Sequence, residues 1–140
     1  MSEYRLVYQE SIPKDLEELL FVGLNTNAFA KKAMSAVRTV AIFHKNTEGK
    51  LLGGLTGFSL FGCLHVDLLW VDDSMRGRGL GTQLMQAAEK AAKDRSCTFT
   101  TVNTMDWEAL PFYQKLGYEI EFVRTGFEKQ STMYFLRKSL

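Results

Sequence analysis

Apolar and polar positions change rhythm several times along this chain, and each change marks an element. Tyr4 to Gln9 (Tyr-Arg-Leu-Val-Tyr-Gln) reads as an opening strand. Pro13 suits a first helical turn, and Leu16, Leu19, Leu20 and Leu24 then recur at helical spacing. That helix is expected to end between Gly23 and Asn27, with a second short helix over Ala28 to Ser35. Val37 to His44 is rich in β-branched and aromatic residues and predicts a strand. Asn46-Thr47-Glu48-Gly49 is a turn, and Leu51 to Leu60 is the return strand. Gly62 permits another tight turn before a third strand over Cys63 to Val71.

The period then lengthens. Leu80, Leu84, Ala87, Ala88 and Ala91 share one helical face, and Gln83, Gln86, Glu89, Lys90 and Lys93 are expected opposite, with Glu89 and Lys93 in the favourable order. Cys97 to Val102 reads as the strand that follows a crossover helix, parallel to the one ending at Val71. Asp106 is a candidate cap for a short helix that reaches Leu116 and stops at Gly117, with Pro111 near its start. Glu119 to Arg124 and Met133 to Lys138 close the chain as an antiparallel pair. The order β-α-α-β-β-β-α-β-α-β-β predicts a mixed α+β fold. Its sheet has about seven strands, an antiparallel N-terminal half and one central parallel crossover.

The junction between the third strand and the strongest helix carries the chemistry. Leu68-Leu69-Trp70-Val71 stops at Asp72 and Asp73, and Arg76-Gly77-Arg78-Gly79-Leu80-Gly81 leads into the helix. Strand, glycine turn and helix form a natural grip for phosphate. Glycines let the backbone approach, and the first helical N–H groups point at the ligand. The two arginines add charge. No Lys-Ser/Thr pair follows Gly81, which argues against a nucleotide-hydrolysing phosphate loop.

Alternation in the third strand marks a second feature. Leu64, Val66, Leu68 and Trp70 are predicted to share one apolar face. Cys63, His65, Asp67, Leu69 and Val71 would share the other, where His65 and Asp67 suggest a cleft wall. A structural hydrogen-bonded His–Asp pair accounts for them equally.

Bulk properties narrow the classes. A chain of 140 residues that is 46% apolar and 24% charged suits one globular domain over 1–140. A net charge of +1 lacks the basic footprint of a nucleic-acid binder. No run reaches the roughly 18 apolar residues of a membrane span, and the first residues lack a secretory layout. Cys63 and Cys97 read as buried free thiols without metal spacing, so no metal site and a cytoplasmic location are expected.

Two motifs together resemble the GNAT superfamily of acyl-CoA-dependent N-acyltransferases. Arg76-Gly77-Arg78-Gly79-Leu80-Gly81 matches its Gln/Arg-x-x-Gly-x-Gly/Ala loop. Ala109-Leu110-Pro111-Phe112-Tyr113-Gln114-Lys115-Leu116-Gly117-Tyr118 looks like its Ala-x-x-Phe-Tyr-x-Lys-x-Gly-Phe/Tyr helix. The chain departs at Asp106, where the superfamily often has Asn. The resemblance implies a GNAT-like fold with helices on both faces, whose central strands splay after Val71 and Val102. It implies acetyl-CoA as co-substrate, its pantetheine along Leu69, Trp70 and Val71 and its pyrophosphate on the turn from Arg76 to Thr82.

Site roles follow from the resemblance. Tyr113 is implied as the acid at the departing sulfur; the alternative is a packed aromatic beside Phe112. A general base is implied on the third strand, at the positions of Asp67 and His65. Asn103 would bond pantetheine amides or serve a turn, and Lys115 would meet a phosphate or only water. Met105 and Trp107 would shape the acceptor pocket or simply pack. The implied activity is transfer of acetyl to a primary amine, by direct attack in a ternary complex. The acceptor is a small molecule or a protein amine; Asp67, Glu119, Glu121 and Glu128 hint at a cation or are solvated surface charges. Homodimers are common in the superfamily. A non-catalytic acyl-CoA sensor and an anion-binding interaction module are the alternatives.

Overall fold

A computed structural model describes residues 4–140. The chain forms two compact units, one ending at Ala36 and the other running from Val37 to Leu140.

The first unit contains α1 (Lys14–Lys32), one uninterrupted helix. Asp15 and Glu17 stand in its first turn and Lys31 and Lys32 in its last, matching the helix dipole. The expected break near Gly23 does not occur. A glycine inside a helix costs only about 1 kcal/mol, too little to end a 19-residue helix that runs on through Asn25, Thr26 and Asn27 to Lys32. It ends at Ala33, whose left-handed backbone (φ 52°) donates its N–H to the Phe29 carbonyl at 2.8 Å. Tyr4 to Gln9, expected as a strand, is irregular: among the described residues no strand pairs with it, and a strand needs a ladder.

The second unit is one mixed sheet of six strands with two further helices. Chain order is β1 (Arg38–Lys45), β2 (Leu51–Leu60), β3 (Cys63–Val71), α2 (Leu80–Asp94), β4 (Phe99–Met105), α3 (Leu110–Lys115), β5 (Glu119–Phe127) and β6 (Ser131–Ser139). Spatial order is β1-β2-β3-β4-β6-β5, so the predicted seven strands become six. The first three form an antiparallel meander, and β3 runs parallel to β4 through the α2 crossover, as the pattern predicted.

The core lies between the sheet and α2, where Leu55, Leu64, Val66, Leu80, Leu84, Met85 and Ala88 are buried. The buried face of α2 is rotated from the predicted one. Met85 and Ala92 are buried and Ala87 is exposed. Glu89 is not a solvated charge. Its carboxylate accepts from Lys138 Nζ at 2.7 Å and from the Tyr118 hydroxyl at 3.1 Å, and Tyr118 also bonds Thr100 at 2.7 Å. The surface pair on this helix is Lys90 with Asp94.

Two features of β3 position the site. Its ladder to β4 runs only from Cys63–Phe99 to Val66–Val102, so Leu68 to Val71 continue with no strand on that side. The second feature is a bulge. Val66 faces Gly57 and Leu68 faces Thr56 on β2, which leaves Asp67 as the extra residue. Gly57 is required there, because a Cβ would run into the His65 carbonyl. The bulge reverses the predicted alternation beyond it. Leu69 and Val71 pack toward the core with Leu64 and Val66, while Leu68 and Trp70 turn out, 63% and 49% exposed.

Candidate active site

Where β3 and β4 part, they enclose a cleft of about 670 Å³. One wall is β3 from Val66 to Val71, and the other is Val102, Asn103 and Thr104 of β4. Ala109, Phe112 and Tyr113 close it from α3, Trp107 and Glu108 border it, and Arg76 and Gly81 mark the glycine turn. The cleft is thus a consequence of topology. Parallel strands that separate leave backbone groups without ladder partners, the kind of edge a ligand can complete.

The glycine turn is built as the sequence implies. Gly77 and Gly79 have φ of 74° and 79°, in the left-handed region that glycine adopts without penalty. A Cβ at either would meet nothing within 4 Å, so open space lies against the backbone. Gly79 caps α2, and no side chain supplies a cap bond, so the first helical N–H groups are left for a ligand or water. Gly81 packs closer: a Cβ there would lie 3.2 Å from the Phe112 ring. Leu80 is buried beneath the turn, and Thr82 is half-buried on the helix that follows. Arg76 lines the cleft while holding an exposed ion pair to Asp73 at 3.1 Å. Arg78 is exposed, and its nearest polar contact is the Met75 sulfur at 4.0 Å. A helix start of this kind contributes roughly 0.3–1 kcal/mol per exposed anionic charge. These features fit a diphosphate without a metal.

Tyr113 stands at the α3 wall, buried to 5% exposure and edge-on to both Phe112 and Tyr118. Burial, and secondarily Glu108, push its phenol up to about 12, so it stays a protonated donor across the physiological range. Behind it lies the Thr100–Tyr118–Glu89–Lys138 network, whose buried tyrosine is likewise raised, first by burial. The segment before α3 departs from expectation. Asp106 does not cap the helix, whose first residue is Leu110 after Ala109. Thr104 Oγ1 instead accepts from the Ala109 N–H at 3.2 Å, and Glu108 accepts from the Met105 N–H at 3.1 Å. These two residues hold the loop that carries Trp107.

The bulge separates the two β3 candidates. Asp67 is exposed and lines the cleft. His65 does not line it. Its Nδ1 lies 2.8 Å from Thr101 Oγ1, and its ring packs against Phe58. Burial lowers its pKa while Asp67 pulls the other way, so the imidazole is neutral at pH 7. Asn103 lines the cleft and Lys115 is an exposed helix residue. Cys63 and Cys97 are free and buried, and burial raises both thiols above their ordinary range. Among the described residues, no group of His, Cys, Asp and Glu gathers to hold a metal. Among the described residues, too, no helix is long and apolar enough to cross a membrane. Sequence reasoning missed Thr104 and Glu108, whose bonds to the Ala109 and Met105 N–H groups form only once the loop between them folds.

Residues 8–118 match the model of the Acetyltransferase (GNAT) family. The chain is 41% identical over 94 residues to the blasticidin-S acetyltransferase of Streptomyces morookaense, covering 66% of this chain and 69% of that one. It superposes on the crystal structure of an acetyltransferase from Bacillus cereus with a TM-score of 0.76 and 30% identity, over 96% of this chain and 98% of that one. A structure from Bacillus anthracis solved in complex with acetyl coenzyme A shares the fold, with a TM-score of 0.66 at 15% identity over 74% of this chain and 63% of that one.

Proposed function

The chain belongs to the acetyltransferase (GNAT) family, and from that premise we propose that it is a single acetyltransferase domain that moves the acetyl group of acetyl-CoA to a primary amine. One arrangement supports this most. A glycine turn suited to a diphosphate, an unpaired strand edge and a protonated Tyr113 line one continuous cleft. The kinship to a blasticidin-S acetyltransferase supports a small-molecule acceptor.

In this reading the backbone of Gly77 to Thr82 and the Arg76 side chain hold the pyrophosphate. Leu69, Trp70, Val71 and Asn103 flank the pantetheine arm. The thioester supplies the acetyl group. Tyr113 donates a hydrogen bond to the departing sulfur and thereby stabilises it. Asp67 faces the entering amine, draws the ammonium in and accepts its proton through water. His65, off the cleft, ties β3 to Thr101 of β4 just before the Asp67 bulge. Attack is direct, because both thiols are buried with raised pKa values and so poor nucleophiles. The working compartment in this reading is the cytoplasm.

CoA release against a panel of primary amines tests the proposal. Amine-dependent release, with the N-acetyl product identified by mass, is expected. Tight acetyl-CoA binding with no release for any amine would leave a sensor instead.

A further inference from the structure

The splayed cleft has a neighbour. A second cavity, of about 680 Å³, is lined by Met105, Trp107, Phe127, Glu128, Lys129 and Ser131. Trp107 lines both cavities, so they adjoin at its indole. Met105 is the last residue of β4, the strand that forms one wall of the splay. The second cavity therefore opens beside the place where the proposed transfer occurs.

We propose that this cavity holds the body of the acceptor, and that the acceptor is a small amine built on a planar ring. The inference rests on the cleft being the acetyl-transfer site. It extends that reading to the chemical class of the substrate. Three walls are an indole, a phenyl ring and a thioether, flat or adaptable apolar surfaces that a ring can cover. The volume lies in the range of small-molecule sites. Glu128 and Lys129 stand at the rim with one charge of each sign. The rim is thus neutral, and it does not concentrate polycations; it offers one acceptor and one donor to groups on the ring. A polyamine or a lysine side chain has no plane to lay against Trp107 and Phe127 and would leave both walls wet.

The backbone of the β5–β6 connection fixes how these lining residues are presented. Lys129 and Gln130 have φ of 54° and 59°, two consecutive non-glycine residues in the left-handed region. Positive φ at two successive residues is the signature of a tight hairpin turn. The turn pairs Phe127, at the end of β5, with Ser131, at the start of β6, and both line the cavity.

The test compares tryptamine, spermidine and a lysine peptide as acceptors, in the wild type and in Ser131→Leu and Phe127→Ala. Ser131→Leu fills the cavity and Phe127→Ala removes a wall; neither residue lines the cleft. The wild type is expected to show a KM for tryptamine at least tenfold below those of the other two. Each variant is expected to raise that KM at least tenfold, with the KM for acetyl-CoA within twofold. A preference for spermidine or peptide, or a tryptamine KM unmoved in the variants, overturns the proposal. Should one variant fail to fold, the other decides. Calorimetry of tryptamine with the CoA-bound protein separates this inference from the one beneath it. If no amine is turned over, binding that Ser131→Leu abolishes still supports the pocket, and absent or unaltered binding overturns it.

Discussion

Two segments, one beside the cleft and one beside the neighbouring cavity, hold backbone in the left-handed region, and they use different residues to do it. The turn after β3 uses Gly77 and Gly79; the β5–β6 connection uses Lys129 and Gln130. Glycine enters that region freely and presents bare N–H groups, which suit a diphosphate common to many donors. A side-chain-bearing residue there costs roughly 1–2 kcal/mol. In return it keeps a side chain at the site, and side chains discriminate. In the proposed reading, the donor thus meets bare backbone and the acceptor meets side chains.

Tyr113→Phe probes the ground between the two. The loss of one hydroxyl is expected to lower kcat by about 10²–10⁴ while binding at both borders persists, so acetyl-CoA affinity stays within twofold by calorimetry. Gly79→Val attacks the glycine border alone. A β-branched residue at φ 79° is strongly disfavoured, so the Kd for acetyl-CoA should rise at least ~10-fold, with the acceptor KM nearly constant. Gln130→Gly attacks the strained border alone. Relief of the left-handed backbone offsets the extra freedom of the unfolded chain, so Tm should hold or rise slightly while the acceptor KM climbs a few-fold. Equal effects of the two glycine exchanges on both substrates would dissolve the contrast.

His65→Gln has the smallest expected effect, because the imidazole touches neither border. Its folded pKa lies below the ordinary value, so the unfolded chain binds the proton more readily. Its contribution is complete above about pH 6.5 and is lost as pH falls toward the folded value. The wild type should lose stability on mild acidification, and the variant should show a flatter Tm profile there. Its kcat/KM profile should keep the wild-type shape; a lost acid limb would make His65 the base after all.

Local chemistry was legible where the pattern is local. Arg76 to Gly81, the α2 helix and Ala109 to Tyr118 each declare themselves within a few residues, and they lie where the sequence implied. Elements that depend on a partner were not. Tyr4 to Gln9 has the composition of a strand and no neighbour to pair with among the described residues. Glu89 looks like a surface charge until Lys138 and Tyr118 arrive from distant elements. The cavity beside Trp107 is assembled from β4, its loop and the β5–β6 connection, so no single stretch spells it.

The Asp67 bulge works as a change of phase. One inserted residue swaps the inside and outside of everything downstream in β3, and the strand can serve two masters: core on its first half, cleft and core on its second. A deletion of Asp67 would therefore act at a distance from the deleted carboxylate. It would drive the Trp70 indole toward the interior, where even a methyl group at Gly53 would lie 2.9 Å from the Leu80 side chain, and it would expel Leu69 and Val71. A single residue thus sets which side chains line the cleft, without altering any of them.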